Sequence, residues 1–118
     1  MKNLIQEKSF EFSIDIIKLY KNLISSNEFI ISKQLLRCGT SIGANVEEAL
    51  AVQSRKDFIA KISIASKEAR ETRYWLKLLQ VSQLVKCEPE NEIEKIDELI
   101  RILTSIVKSS QEKLKNNV

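Results

Sequence analysis

Four glutamates, Glu47, Glu48, Glu68 and Glu71, are the residues of this chain that invite chemistry. Carboxylates offered by two helices can hold a divalent cation or share acid–base work. The sequence supplies little to support either. It contains no histidine, which removes the usual general base, the Ser-His and Cys-His nucleophile systems and the commonest zinc ligand. It also removes the Glu-x-x-His pairs by which some helical bundles hold two metals. Arg37, Arg70 and Arg73 stand near enough in sequence to pair with the glutamates instead. Cys38 and Cys87 form no Cys-x-x-Cys pair. The expectation for them is reduced thiols, with Cys38 a small core residue. No metal site, cofactor or catalytic residue is expected, and the chain is read as not an enzyme.

A different group can do electrostatic work. Projected as a helix, the segment from Ser54 to about Val81 or Leu84 gathers Arg55, Lys56, Lys67, Arg70, Arg73 and Lys77 on one flank. Its front, Phe58, Ile62, Ala65, Ala69, Thr72, Leu76 and Leu79, alternates steps of four and three, the spacing of a coiled-coil-like seam. The other flank carries Asp57, Ile64, Glu68, Glu71 and Trp75. Two readings stay open. In one, both flanks are solvated or salt-bridged within the chain. In the other, the acidic-aromatic flank meets a basic surface of another subunit, and the remaining cations face a partner. Trp and Arg are favoured interface anchors. Glu68, Glu71 and Trp75 are therefore candidate subunit contacts, and the basic flank is a candidate nucleic-acid surface. A net charge of +3 is by itself too mild a bias to identify such a protein.

These side chains need helices to position them, and composition agrees. With one proline and two glycines, the chain lacks the turn chemistry of a sandwich or barrel. The spacing predicts four helices. The first runs from about Ser9 to Leu23 with Phe10, Phe12, Ile16, Leu19, Tyr20 and Leu23 as its buried stripe. The second runs from about Glu28 to Val52, capped by Asn27, with Ile31, Leu35, Cys38, Ile42, Val46 or Asn45, and Ala49 inward. Gly39, Gly43 and Ala44 give it a flat face for close approach, and a break at Gly39 is the alternative. The third is capped by Ser54. The fourth opens at Pro89 and buries Ile93, Ile96, Ile100, Leu103 and Val107, with Leu99 and Ile106 widening the stripe. The tail from Lys113 to Val118 is expected to fray. Short connections favour an all-α, antiparallel up-down-up-down four-helix bundle, one domain over residues 1–118. No apolar run approaches the roughly 20 residues of a membrane span, and the N-terminus acquires charge too early for a secretory signal. A cytoplasmic location is expected.

The segments Gln34–Arg37, Thr40–Ala49, Asp57–Ile59 and Ile64–Leu76 resemble the bacterial four-helix-bundle proteins of the 23S ribosomal RNA intervening-sequence family, across nearly the whole chain. Related proteins serve as accessory factors of diversity-generating retroelements. The resemblance implies an antiparallel bundle that assembles as a ring-like homopentamer. It also implies, for the retroelement relatives, a positive surface that associates with nucleic acid and binds a reverse transcriptase. Five copies would carry about +15, which suits a polyanion. The expected function is a non-enzymatic oligomeric scaffold contacting RNA or DNA phosphates. The alternative is a protein-interaction module, an accessory factor for a polymerase such as a reverse transcriptase, with no direct nucleic-acid role.

Overall fold

The computed structural model describes residues 3–116, which form four α-helices and, among those residues, no strand. They are α1 (Leu4–Ser25), α2 (Ile31–Ala51), α3 (Arg55–Ser82) and α4 (Glu90–Asn116). Each end has a local cause. Asn3 Oδ1 accepts from the Gln6 N–H at 3.2 Å and starts α1 earlier than the apolar stripe alone predicts. At the α1–α2 corner Asn27 does not cap; it takes a left-handed conformation at φ 63°. Glu28 does the capping: its carboxylate accepts from the N–H groups of Ile30, Ile31 and Ser32 at 3.0, 3.0 and 2.6 Å. Ser54 Oγ accepts from the Asp57 N–H at 3.1 Å, so α3 starts as expected. Before α4, the Pro89 carbonyl accepts from the Ile93 N–H, and Glu90 and Glu92 occupy the positive end of the helix dipole. The helix continues through Lys113–Asn116, against the expected fraying, with Lys113 and Lys115 at its negative end. Asn117 and Val118 lie outside the described residues.

All four helices feed one hydrophobic cluster. α3 buries Ile62, Ala65, Ala69, Thr72, Leu76 and Leu79, the seam read from its spacing, while Phe58 is half-buried. Thr72 is a buried hydroxyl within that seam and donates to the Glu68 carbonyl at 2.8 Å, so it leaves no unmet polar group. α2 is continuous through Gly39. There the backbone meets α1 so closely that a Cβ would lie 2.9 Å from both γ carbons of Ile16. Gly43 also faces α1, against Ser9 and Ser13, but Ala44 is turned outward. The expected core differs in two elements: Phe10 is 65% exposed and Tyr20 only half-buried, so α1 buries Ile5, Phe12, Ile16, Leu19 and Leu23 instead, and α4 buries Ile96, Leu99 and Leu103 while Ile93, Ile100, Ile106 and Val107 are half-buried against the cluster.

α1 touches α2 and α4, and α3 touches α2 and α4; α1 and α3 do not meet. Lys8 pairs with Glu98 at 2.9 Å and Asp15 with Lys95 at 2.6 Å across α1 and α4. The described residues measure 53 × 23 × 23 Å.

Candidate nucleic-acid interface

α3 carries the expected cations, and the structure divides them into two groups. Arg55, Lys56, Lys67 and Arg70 are exposed, whereas Arg73 and Lys77 are half-buried. Arg73 Nε donates to Asp97 Oδ1 of α4 at 2.6 Å. Lys77 Nζ donates to Gln80 Oε1 at 3.1 Å, and Gln80 in turn donates to Glu90 Oε1 at 3.3 Å. The C-terminal half of the basic flank is thus matched by acceptors within the chain. The N-terminal half is not: Arg55, Lys56 and Lys67 make no ion pair among the described residues, and Arg70 reaches only the Thr104 hydroxyl at 3.4 Å.

The neighbouring turn of α4 adds to this unmatched half. Arg70, Thr104, Lys108, Ser63, Ser66 and Gln111 line a groove of about 270 Å³ between α3 and α4. Arg55 and Lys113 line the next groove along the same pair of helices. Sequence alone confines the surface to α3 and misses Lys108 and Lys113. They are visible there only as charges on the polar side of α4; placing them beside Arg70 and Arg55 requires knowing how the two helices pair. Exposed ammonium and guanidinium groups alternating with hydroxyls and an amide can neutralise and hydrogen-bond phosphate oxygens. Among the described residues that line the two grooves the aromatic ring is that of Phe58, half-buried against the core, so the lining offers donors suited to phosphates rather than an exposed ring on which bases could stack.

The other flank of α3 is engaged within the chain. Arg37 of α2 bridges Glu68, at 3.4 Å, and Glu71. Burial works against the Arg37 charge, but Glu71 and Glu68 more than offset it, and its pKa rises. Trp75 Nε1 donates to Glu71 Oε2 at 3.1 Å, and Tyr74 meets the Trp75 ring edge-on at 5.3 Å. Trp75 is half-buried against the core, while Tyr74 is 61% exposed. Arg70 and Arg73 do not join this cluster; they face α4.

The glutamates do not converge. Glu47 accepts from Gln6 Nε2 of α1 at 2.8 Å, and Glu48 accepts from Lys61 Nζ of α3 at 2.8 Å. Both are exposed. Among the described residues no group of three or more His, Cys, Asp or Glu could hold a metal ion. Cys38 is fully buried, and burial is the main cause that pushes its thiol pKa up. Burial likewise raises that of Cys87, aided by Glu90 and Glu92. A thiol that ionises less readily is a weaker nucleophile. No helix among the described residues is long and apolar enough to cross a membrane.

Residues 1–105 match the model of a family described as 23S rRNA-intervening sequence protein. A crystal structure of a protein of unknown function from the S23 ribosomal protein family of Bacteroides thetaiotaomicron VPI-5482 is similar to this chain. It is 46% identical over 89% of this chain and 99% of its own, with a TM-score of 0.83. No curated protein matches the chain.

Proposed function

We propose that this chain, which belongs to the 23S rRNA-intervening sequence protein family, is a non-enzymatic, oligomeric scaffold of the cytoplasm that contacts nucleic-acid phosphates through the α3/α4 face. One observation carries the reading. Arg55, Lys56, Lys67 and Arg70 form an exposed row without carboxylate partners among the described residues, and Lys108 and Lys113 of α4 stand beside it. A fold that needed these cations for its own stability would pair them, as it pairs Arg73 with Asp97.

The unit we propose is one domain, an antiparallel up-down-up-down bundle. The contact register supports that order. Lys8 meets Glu98 and Asp15 meets Lys95; Gln6 meets Glu47 and Ile16 meets Gly39; Arg70 meets Thr104 and Arg73 meets Asp97. In each pair one helix advances as the other recedes. The subunits assemble, in this reading, as the homopentamer implied by the family resemblance. The flank around Glu68, Glu71 and Trp75 is the proposed subunit contact, with Tyr74 and Ile64 adding exposed apolar surface. The Arg37 side chain remains half-exposed while bridging the two glutamates, so a neighbour could still reach the cluster.

The test is charge reversal at Lys67, Arg70 and Lys108 together. The triple Glu variant should keep the helical content of the native protein and lose RNA and DNA binding at low salt by at least an order of magnitude. The native affinity should also fall steeply with salt, because phosphate neutralisation releases counterions. Unchanged binding by the variant would remove this surface from the function. Stoichiometric recovery of a polypeptide, with no nucleic acid, from the native host would replace it with the accessory-factor reading.

A further inference from the structure

Two faces of the bundle that share α2 carry exposed apolar side chains. On the first, Phe10, Ile14 and Ile17 of α1 are 65%, 40% and 38% exposed. With the smaller Thr40, Gly43 and Ala44 of α2 they surround an open groove of about 330 Å³. Phe10, Ile14, Ile17 and the exposed Lys21 advance by four, three and four residues, the spacing by which a helix keeps one seam toward a partner helix. Solubility does not call for such a seam on the outside of a helix. On the second face, Ile64 and Tyr74 of α3 stand out beside Trp75 and Glu71. The first face is hollow and floored by small side chains, whereas the second projects bulky ones.

The contacts through α2 fix the height of each residue along the bundle. Gln6 is level with Glu47, and Ile16 with Gly39. Glu48 is level with Lys61, and Arg37 with Glu68 and Glu71. Interpolated along the helices, Phe10 is level with Ile64, Ile17 with Glu71, and Lys21 with Tyr74 and Trp75. Within one subunit these residues do not meet, because α1 and α3 do not touch. A rotation about an axis parallel to the bundle turns a copy without sliding it along that axis, so residues of equal height face each other between neighbours. The chemistry then matches level by level. Phe10 meets the aliphatic Ile64. Ile17 meets Glu71, whose carboxylate is already held by Arg37 and the Trp75 N–H. One guanidinium set against Glu68 and Glu71 leaves that cluster one negative charge in excess. Lys21, which has no ion pair among the described residues, offers the missing cation one turn further on, over the exposed Tyr74 ring.

We propose that the α1/α2 groove of each subunit seats the α3 flank of the next, with α1 parallel to the neighbour's α3 and α2 lining the axis of the ring. The contact is head-to-tail, joining two different surfaces rather than one surface to itself. It rests on the ring assembly proposed above, which names the flank of Glu68, Glu71 and Trp75, and it supplies the surface that the flank meets. Adjacent faces of a four-helix array stand at about a right angle. Copies joined through adjacent faces turn at every contact and close after about four or five, whereas copies joined through opposite faces would run on as an open file. Both faces that include α4 stay uncovered, the basic α3/α4 face among them.

Cross-linking tests the contact. In a Cys87→Ser background the remaining Cys38 is fully buried. A short bis-maleimide acting on the double variant Phe10→Cys and Ile64→Cys should give a ladder of linked subunits ending at the copy number of the ring. Each single variant should give none, since a head-to-tail contact brings no position onto itself. Glu11→Cys, on the side of α1 facing α4, combined with Ile64→Cys should give none either. Phe10 and Ile64 are exposed, so helicity should be unchanged. Mass by light scattering with size-exclusion chromatography separates this contact from the assembly it rests on. A native monomer overturns both. A native oligomer whose Phe10→Cys and Ile64→Cys pair gives no ladder, or whose Phe10→Cys alone links to itself, overturns this contact and leaves the assembly standing.

Discussion

Glu28 is the residue on which the start of α2 depends. Burial raises its pKa, but the N–H groups of Ser32, Ile31 and Ile30 and the Ser32 side chain together outweigh that, and the pKa lies below its ordinary 4.5. A carboxylate is well matched to this task, since it meets three orphan donors at the positive end of a helix dipole. Because the folded pKa is depressed, the stabilisation is fully present above the unfolded pKa. It is lost as pH falls through the folded one. Glu28→Ala should therefore cost about 1–2 kcal/mol at pH 7, read by urea unfolding. The difference between variant and native protein should shrink as pH drops below 4.5. An equal gap at pH 7 and at strongly acidic pH would mean that the loss comes from packing rather than from the charge-assisted cap. The sequence shows the residue but not the role. Asn27 is the better cap by type, yet it occupies the left-handed corner, and the longer Glu28 side chain reaches forward to the N–H groups of Ile30, Ile31 and Ser32.

Helix α2 owes its two glycines to α1, but the two are not equivalent. Replacing glycine by alanine within a helix is worth about 1 kcal/mol on propensity. At Gly43 the added Cβ would sit 3.4 Å from its nearest neighbours, Ser13 Oγ and the Ser9 carbonyl oxygen, an ordinary contact. At Gly39 it would sit 2.9 Å from the γ carbons of Ile16, a β-branched side chain locked in the core. Overpacking costs about 1–3 kcal/mol. Gly43→Ala should then raise the thermal midpoint and Gly39→Ala lower it. A rise in both would show that Ile16 yields and that α1 and α2 need no close approach. Periodicity finds the core seams of α2 and α3 because each has one apolar stripe. It fails on α1, which has two: spacing identifies a stripe but not which neighbour covers it, and so it places Phe10 inward. Nor can it show that Arg37 reaches Glu68 and Glu71, or that Arg73 reaches Asp97. Those pairs join different helices, and a helical projection holds only one.

Across the whole molecule, α1 and α3 stand on opposite corners and do not touch. The cationic face of α3 and α4 therefore lies away from the exposed side of α1, and subunits joined as proposed through the flank of Glu68, Glu71 and Trp75 would each present one such face. On the proposed function, a nucleic acid long enough to reach two faces would bind twice. The second contact is intramolecular, and such linkage can raise apparent affinity by on the order of 10²-fold without any new contact. The double variant Ile64→Ser and Tyr74→Ser leaves the charge unchanged and removes exposed apolar surface from the proposed subunit contact. It should weaken binding of a long RNA by about that factor. Its affinity for a short oligonucleotide, which covers one face, should equal that of the native protein. The salt dependence should change in the same way, because its slope follows the number of phosphates neutralised. For the long RNA the slope should fall toward that of the short one. Equal losses on both lengths would place the damage in the α3/α4 face itself. No loss on either would mean that each basic face acts alone, and the pairing of subunits would then serve assembly rather than affinity.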